Sequence, residues 1–273
     1  MELQKFPYFK ISFHSKTFFP SPFIGVEIWK AIEANLKRIV CLRGNRKCEE
    51  CPFQPECLYF QWFKKRESVP CRLTFPITGE ISFELNLVGD FCRGVSYFLS
   101  ALLEVERKGL KGGKVKLEGV KIEVNKTLFY QNGEIVGEIP SPLQFDPVNF
   151  STPSRVIEIR YLSPIRLRNG ERPTYLPLVR ELYRHYLEFF PPQENEDFPS
   201  FSHSHQFPAL FKTSYGVGRW GGGWEYLEGE MGFLRVEGVD KIGYQLLKMG
   251  EILGVGEWRE IGFGNYQVGK GGE

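Results

Sequence analysis

Apolar and polar positions change period several times along the chain, and each change predicts an element. Residues 6–19 alternate and are rich in Phe and Ile, which predicts a strand broken by Pro20 and Pro22. Ile24, Ile28, Ala31, Ile32, Leu36 and Ile39 recur at helical spacing and predict a helix over 23–40. Residues 41–66 are turn-rich, and a small strand fits near Leu73 to Pro76. Ile81, Phe83, Leu85 and Leu87 share one face of a strand over 81–88. A helix follows over 95–107, stopped by Gly109-Leu110-Lys111-Gly112-Gly113, and 114–124 alternates as a further strand.

The second half restates this order. Pro140, Pro142, Pro147 and Pro153 mark 140–153 as a linker. A strand is predicted over 155–162, a helix over 176–190, one or two short strands in 226–236, a helix over 239–252 and a last strand over 261–268. The repeat is one of pattern, not of letters. It predicts an α+β chain of two tandem ferredoxin-like domains with antiparallel sheets, 1–140 and 141–273, the first carrying a four-cysteine loop insertion over 41–66.

Composition narrows the function classes. The 273 residues carry 35 basic and 33 acidic side chains, so a polyanion partner must be argued from local clusters. Met1 to Phe13 has no secretory pattern and no stretch is long and apolar enough for a bilayer, which predicts a cytoplasmic protein with no membrane partner. Thiols stay reduced there, so cysteines point to metal or packing before disulfides.

Cys41, Cys48, Cys51 and Cys57 are spaced C-x6-C-x2-C-x5-C. Two residues between Cys48 and Cys51 let both sulfurs turn to one ion, and four thiolates suit structural zinc. An iron–sulfur cluster fits the spacing nearly as well, with a redox role as one reading of the chain. Four buried free thiols or a disulfide pair would be the plain alternative. Cys71 and Cys92 read as core residues.

Near the C-terminus, Gly254-Val255-Gly256 and Gly262-Phe263-Gly264 flank five residues that include Arg259. Clustered glycines let the backbone approach a ligand and point amides at an anion. Gly264 to Lys270 spells G-x-x-x-x-G-K, but Gly271 stands where a phosphate loop needs a hydroxyl residue, so that match is accidental.

This glycine pattern resembles the signature of the CRISPR repeat-processing endoribonucleases of the RAMP superfamily. Phe23-Ile24-Gly25 with Trp29, and the cysteine segment through Cys57-Leu58-Tyr59, are similar to a cysteine-bearing branch of it. Leu87-Val88-Gly89 and Tyr161-Leu162-Ser163-Pro164-Ile165-Arg166-Leu167 agree. The resemblance implies two RRM-like domains that bind CRISPR repeat RNA, the precursor crRNA, and cut it once per repeat without a catalytic metal. The 2′-hydroxyl would attack the adjacent phosphate, leaving a 2′,3′-cyclic phosphate. A non-catalytic RNA-binding scaffold subunit, docked with other CRISPR effector subunits, is the alternative.

Many such relatives carry His in the first helix region, whereas residues 23–40 here contain none, and Gly254 and Glu257 occupy the loop positions of His and Lys. The four histidines are His14, His185, His203 and His205. His14 on the first strand, and His203 and His205 in a polar loop, are the catalytic candidates; His185 reads as a packing or capping residue. RNA contacts are expected from Gly254, Gly256, Arg259, Gly262 and Gly264, and from Arg166, Arg168 and Arg219. Two clusters support this: six bases against three acids in 41–66, and seven arginines against three glutamates in 155–187. Tyr215 to Trp224 reads as a mobile aromatic loop that could stack on bases.

Overall fold

Alternation along the first strand sets the N-terminal core. Phe9, Ile11, Phe13 and Ser15 are buried, while His14 and Lys16 between and beyond them are exposed. The computed structural model describes residues 2–19, 24–41, 48–64, 71–74, 80–151, 156–190, 199–218 and 224–271. Its elements run β1 (Phe6–Phe18), α1 (Gly25–Val40), α2 (Leu58–Phe63), β2 (Cys71–Thr74), β3 (Glu80–Val88), α3 (Val95–Lys108), β4 (Lys121–Val124), β5 (Thr127–Gln131) and β6 (Glu134–Ile135). They continue as β7 (Leu143–Phe145), β8 (Val156–Ile165), α4 (Tyr175–Phe189), β9 (His205–Gly218), β10 (Trp224–Glu237), α5 (Lys241–Leu253) and β11 (Tyr266–Lys270).

The chain divides into two compact units, Tyr8–Leu143 and Met1–Pro7 with Gln144–Glu273. In the first, the sheet order is β2-β3-β1-β4, extended by β5 and β6. In the second it is β11-β8-β10-β9. Numbered within each unit, both read as the same 4-1-3-2 antiparallel order with two crossover helices, the split βαβ arrangement met twice. The chain is therefore α+β with two ferredoxin-like domains.

Each sheet buries one face under helices. Phe13 stacks on Phe83 with centroids 4.9 Å apart, beneath Ile28, Ile32 and Leu36 of α1 and Phe98 and Leu102 of α3. In the second unit Ile157, Ile159, Leu234 and Val236 are fully or nearly fully buried, with Leu178, Leu182, Leu246 and Leu247 of α4 and α5. Asp240 caps α5, accepting from the Gly243 amide at 2.7 Å.

Three predicted elements differ. The strand over 114–124 is regular only in β4, because a turn with positive φ at Lys111, Gly112 and Gly113 precedes it. The last strand begins at Tyr266, not 261. His205 and Tyr215, each expected in a loop, lie in one 14-residue strand with the unassigned residues between them; Pro208 is tolerated because β9 is the sheet edge.

Candidate functional site

The glycine segment is a clasp of the fold, which corrects its expected role. The Gly254 amide donates to Gly250 O (2.8 Å), Gly256 to His185 Nε2 (3.2 Å), Gly262 to Arg259 O (3.2 Å) and Gly264 to Pro164 O (2.8 Å). Each glycine N–H is thus spent inside the protein, and Val255, Ile261 and Phe263 between them are core residues. Gly256 and Gly264 have φ of +80° and +74°. A Cβ at either would meet a backbone carbonyl oxygen, Arg166 or Val255, well inside contact distance. Glycine is required here for close backbone packing, not to cradle an anion.

Arg259 is also corrected. It is 3% exposed, donates to Leu253 O at 3.3 Å and sits 3.8 Å from Glu188. Arg168 pairs with Glu181 at 3.1 Å and with Glu188, so it too braces α4. Both belong to a cluster around His185, which is fully buried. Gly256 N–H donates to Nε2, and Nδ1 lies 3.0 Å from Arg168 Nη2 and 3.4 Å from Glu188 Oε2. Burial first, and then the charge of Arg259, pulls the His185 pKa down to about 3 against the opposing effect of Glu188.

That shift has a sign. The unfolded chain takes up a proton near pH 6.5 while folded His185 stays neutral, so stability is full above 6.5 and falls as pH drops toward 3. The slope is at most about 1.4 kcal/mol per pH unit. Thermal melts should therefore show the gap between wild type and His185→Gln narrowing from pH 7 to 5. A constant gap would mean the imidazole is not held neutral.

The arginine cluster of 155–187 is largely paired, which the sequence did not reveal. Arg160 pairs with Glu158 (3.0 Å), Arg166 with Glu257 (2.9 Å), Arg172 with Glu230 (2.9 Å) and Arg184 with Glu181 (3.1 Å). Surface pairs are worth about 0–1 kcal/mol, so the exposed arginines exchange a carboxylate for a phosphate at little cost. Arg166 remains such a surface group and lies 5.0 Å over the Trp258 ring. Arg219 lies outside the described residues.

The face of the second sheet opposite its helices carries aromatic side chains. Strand register aligns Phe207, Arg235 and Glu158 in one row, and Ala209, Phe233, Arg160 and Gln267 in the next. Phe207 and Phe211 are 58% and 60% exposed. The Arg235 guanidinium lies 5.5 Å over the Phe233 ring and 3.0 Å from Glu158. Sequence reading missed this set; Phe207 and Phe211 sharing one parity was the available signal. Tyr215 is in β9, its ring edge-on to Phe263 at 6.5 Å, not in a loop.

The histidines separate. His14 is exposed on β1, its Nδ1 2.7 Å from Ser82 Oγ, with Lys121 opposite on β4. His203 packs against the Tyr175 ring at 5.0 Å, whereas His205 opens β9 opposite Glu237. The pair therefore does not act from one side, as an extended polar loop would have allowed. Cys41, Cys48, Cys51 and Cys57 are half-buried and not in disulfides, and Cys41, Cys51 and Cys57 line one cavity.

Two sheets of one topology, each helix-backed and exposing polar or aromatic groups on its other face, define a tandem ferredoxin-like protein. Residues 8–142 match the family described as the AF_1859 N-terminal domain, and residues 148–266 match the CRISPR-associated endoribonuclease Cas6 family. The likeness to the Cas6 family thus lies in the second half of the chain. No curated protein sequence matches it. A product complex of Thermus thermophilus Cas6 has the same fold, with 16% identity, a TM-score of 0.60 and coverage of 96% of this chain and 99% of that one. A second Cas6 product complex gives 15% identity, a TM-score of 0.55 and coverage of 98% and 100%. A partial Cas6-RT-Cas1–Cas2 complex gives 12% identity, a TM-score of 0.51 and coverage of 99% of this chain and 47% of that one. No helix among the described residues is long and apolar enough to cross a membrane.

Proposed function

We propose that this chain binds CRISPR repeat RNA and cuts the precursor crRNA once per repeat, by attack of a 2′-hydroxyl on the adjacent phosphate. The Cas6 family match over residues 148–266 carries the reading. In the step itself a P–O2′ bond forms and the P–O5′ bond breaks, giving a 2′,3′-cyclic phosphate. One proton leaves the 2′-hydroxyl and another reaches the departing 5′-oxygen.

His14 is the best-placed proton carrier. With Nδ1 beside Ser82, Nε2 is the nitrogen left for the substrate, and the rotating hydroxyl serves either tautomer. Lys121, opposite on β4, is the cation beside it; it pairs with Glu123 on the surface and would exchange that carboxylate for the phosphate at little cost. His205 faces the Glu237 carboxylate, which repels a phosphodiester, and His203 is held against Tyr175.

Phe207, Phe211 and Phe233 serve as a stacking platform for unpaired bases, with Arg160, Arg166 and Arg235 on the backbone. Stacking is worth about 1–3 kcal/mol per base. Phe207→Ala and Phe211→Ala should each weaken RNA binding by roughly 5- to 150-fold. Unchanged affinity in the double variant would remove the platform from the account. The reading as a whole is tested with end-labelled repeat RNA: one shortened product supports a nuclease, and binding without a cut supports the scaffold subunit.

A further inference from the structure

The described residues between α1 and α2 bring cysteines together with apolar side chains. Cys41 ends α1 in an extended conformation, its amide bonded to Lys37 O at 3.0 Å. Cys48 opens a single 3₁₀ turn, and the Cys51 amide returns to Cys48 O at 3.2 Å. Gln54 N–H then donates to Cys51 O and Cys57 N–H to Gln54 O, at 3.1 and 3.3 Å, before Cys57 caps α2. Successive tight turns thus fold the segment back on itself. The outcome is one cavity walled by Cys41, Cys51 and Cys57 together with Val40, Phe53 and Leu58. Three of the four thiols thus line this cavity, a hydrogen-bonded turn links Cys48 to Cys51 of its wall, and none is in a disulfide.

We propose that Cys41, Cys48, Cys51 and Cys57 bind one zinc ion in a closed four-thiolate site that staples the α1–α2 junction. Four sulfurs complete a tetrahedral shell and leave no position for substrate, so the role is structural. Among the described residues no three His, Cys, Asp or Glu side chains stand at ligand distance of one point. The sulfurs therefore turn in from the cavity wall on binding, and the binding free energy goes into ordering the junction. Lys37 and Lys64 lie 5.7 and 6.0 Å from the Tyr59 ring, cations beside a site that gains negative charge.

The staple has something to hold. The Tyr59 hydroxyl donates to Glu33 of α1 at 2.7 Å. The Trp62 ring packs on Phe91 at 4.9 Å and Phe98 at 5.6 Å. Helix α2, only six residues long, is thereby strapped across α1 and α3. A helix that short is marginal alone, so an ion at its first residue fixes where it starts.

The test is elemental analysis of the purified full-length chain, which does not depend on RNA or on cleavage. The expected result is one zinc per chain, lost in Cys48→Ser/Cys51→Ser, with the melting temperature of the variant lowered by several degrees. Because that variant could fail to fold, wild type stripped of metal and titrated with cobalt(II) provides a second readout. Intense visible bands of tetrahedral thiolate coordination, displaced by zinc, support the site. Iron with a brown chromophore, no metal uptake, or zinc retained by the double variant would each overturn it.

Discussion

His14→Ala lowers the rate of repeat-RNA cleavage by roughly 10²–10⁴-fold, the usual worth of a positioned proton carrier, while RNA affinity stays within a few-fold of wild type. The side chain is exposed on β1 beside Ser82 and opposite Lys121, so its removal leaves no cavity in the core. Ser82→Ala, which releases Nδ1, should cost less, since it disturbs the orientation of the ring rather than removing it. His205→Ala and His203→Ala serve as comparisons and should cut at near wild-type rate. Single-turnover kinetics on one repeat RNA separates these cases. Wild-type cleavage by His14→Ala would move the chemistry off β1.

The second large effect is on stability. Gly264→Ala places a side chain at φ +74°, and its Cβ meets the Val255 carbonyl oxygen, a backbone atom that cannot swing away. Left-handed strain costs about 1–2 kcal/mol and overpacking about 1–3 kcal/mol, so a loss of roughly 2–5 kcal/mol is expected. Against a typical total of about 5–15 kcal/mol this is severe. Gly269→Ala on β11 is the control, because nothing lies within 4 Å of its Cβ and its φ is ordinary. Denaturant melts of both variants should show a large and a small shift respectively. Equal shifts would mean the clasp is not what holds the C-terminal segment.

The contrast between these two positions shows what a sequence discloses. The glycine pattern pointed to the family whose model matches residues 148–266, but for a reason the structure does not share. Spacing reveals that glycine is required at 254, 256, 262 and 264, and both a phosphate cradle and a dense backbone crossing require it. Only the partners of the amides, Gly250, His185, Arg259 and Pro164, decide between them. Arg259 and Arg168 failed for the same reason. Their carboxylate partner Glu188 lies in a different element, and no local pattern announces that pairing. His185, read as packing or capping, is indeed a fully buried residue that accepts from a loop amide.

Elements with a buried stripe were legible. In α1, Ile28, Ile32 and Leu36 recur at helical spacing and are fully buried, and β3 alternates as its burial requires. Helix α2 was missed because six residues span too few turns to show a period. Strand β9 was missed because Phe207 and Phe211 put apolar groups on the exposed face, inverting the usual sign, and Pro208 reads as a breaker. An element that violates the inside–outside rule is where function is expected, and here it carries the proposed stacking platform.

One substitution in the substrate tests the proposed reaction most directly. A repeat RNA with a single 2′-deoxy nucleotide at the cleavage position should bind as well as the all-ribose strand and remain uncut at that bond, because the nucleophile is gone. Cleavage of the deoxy strand at the same bond would contradict 2′-hydroxyl attack and, with it, the role given to His14.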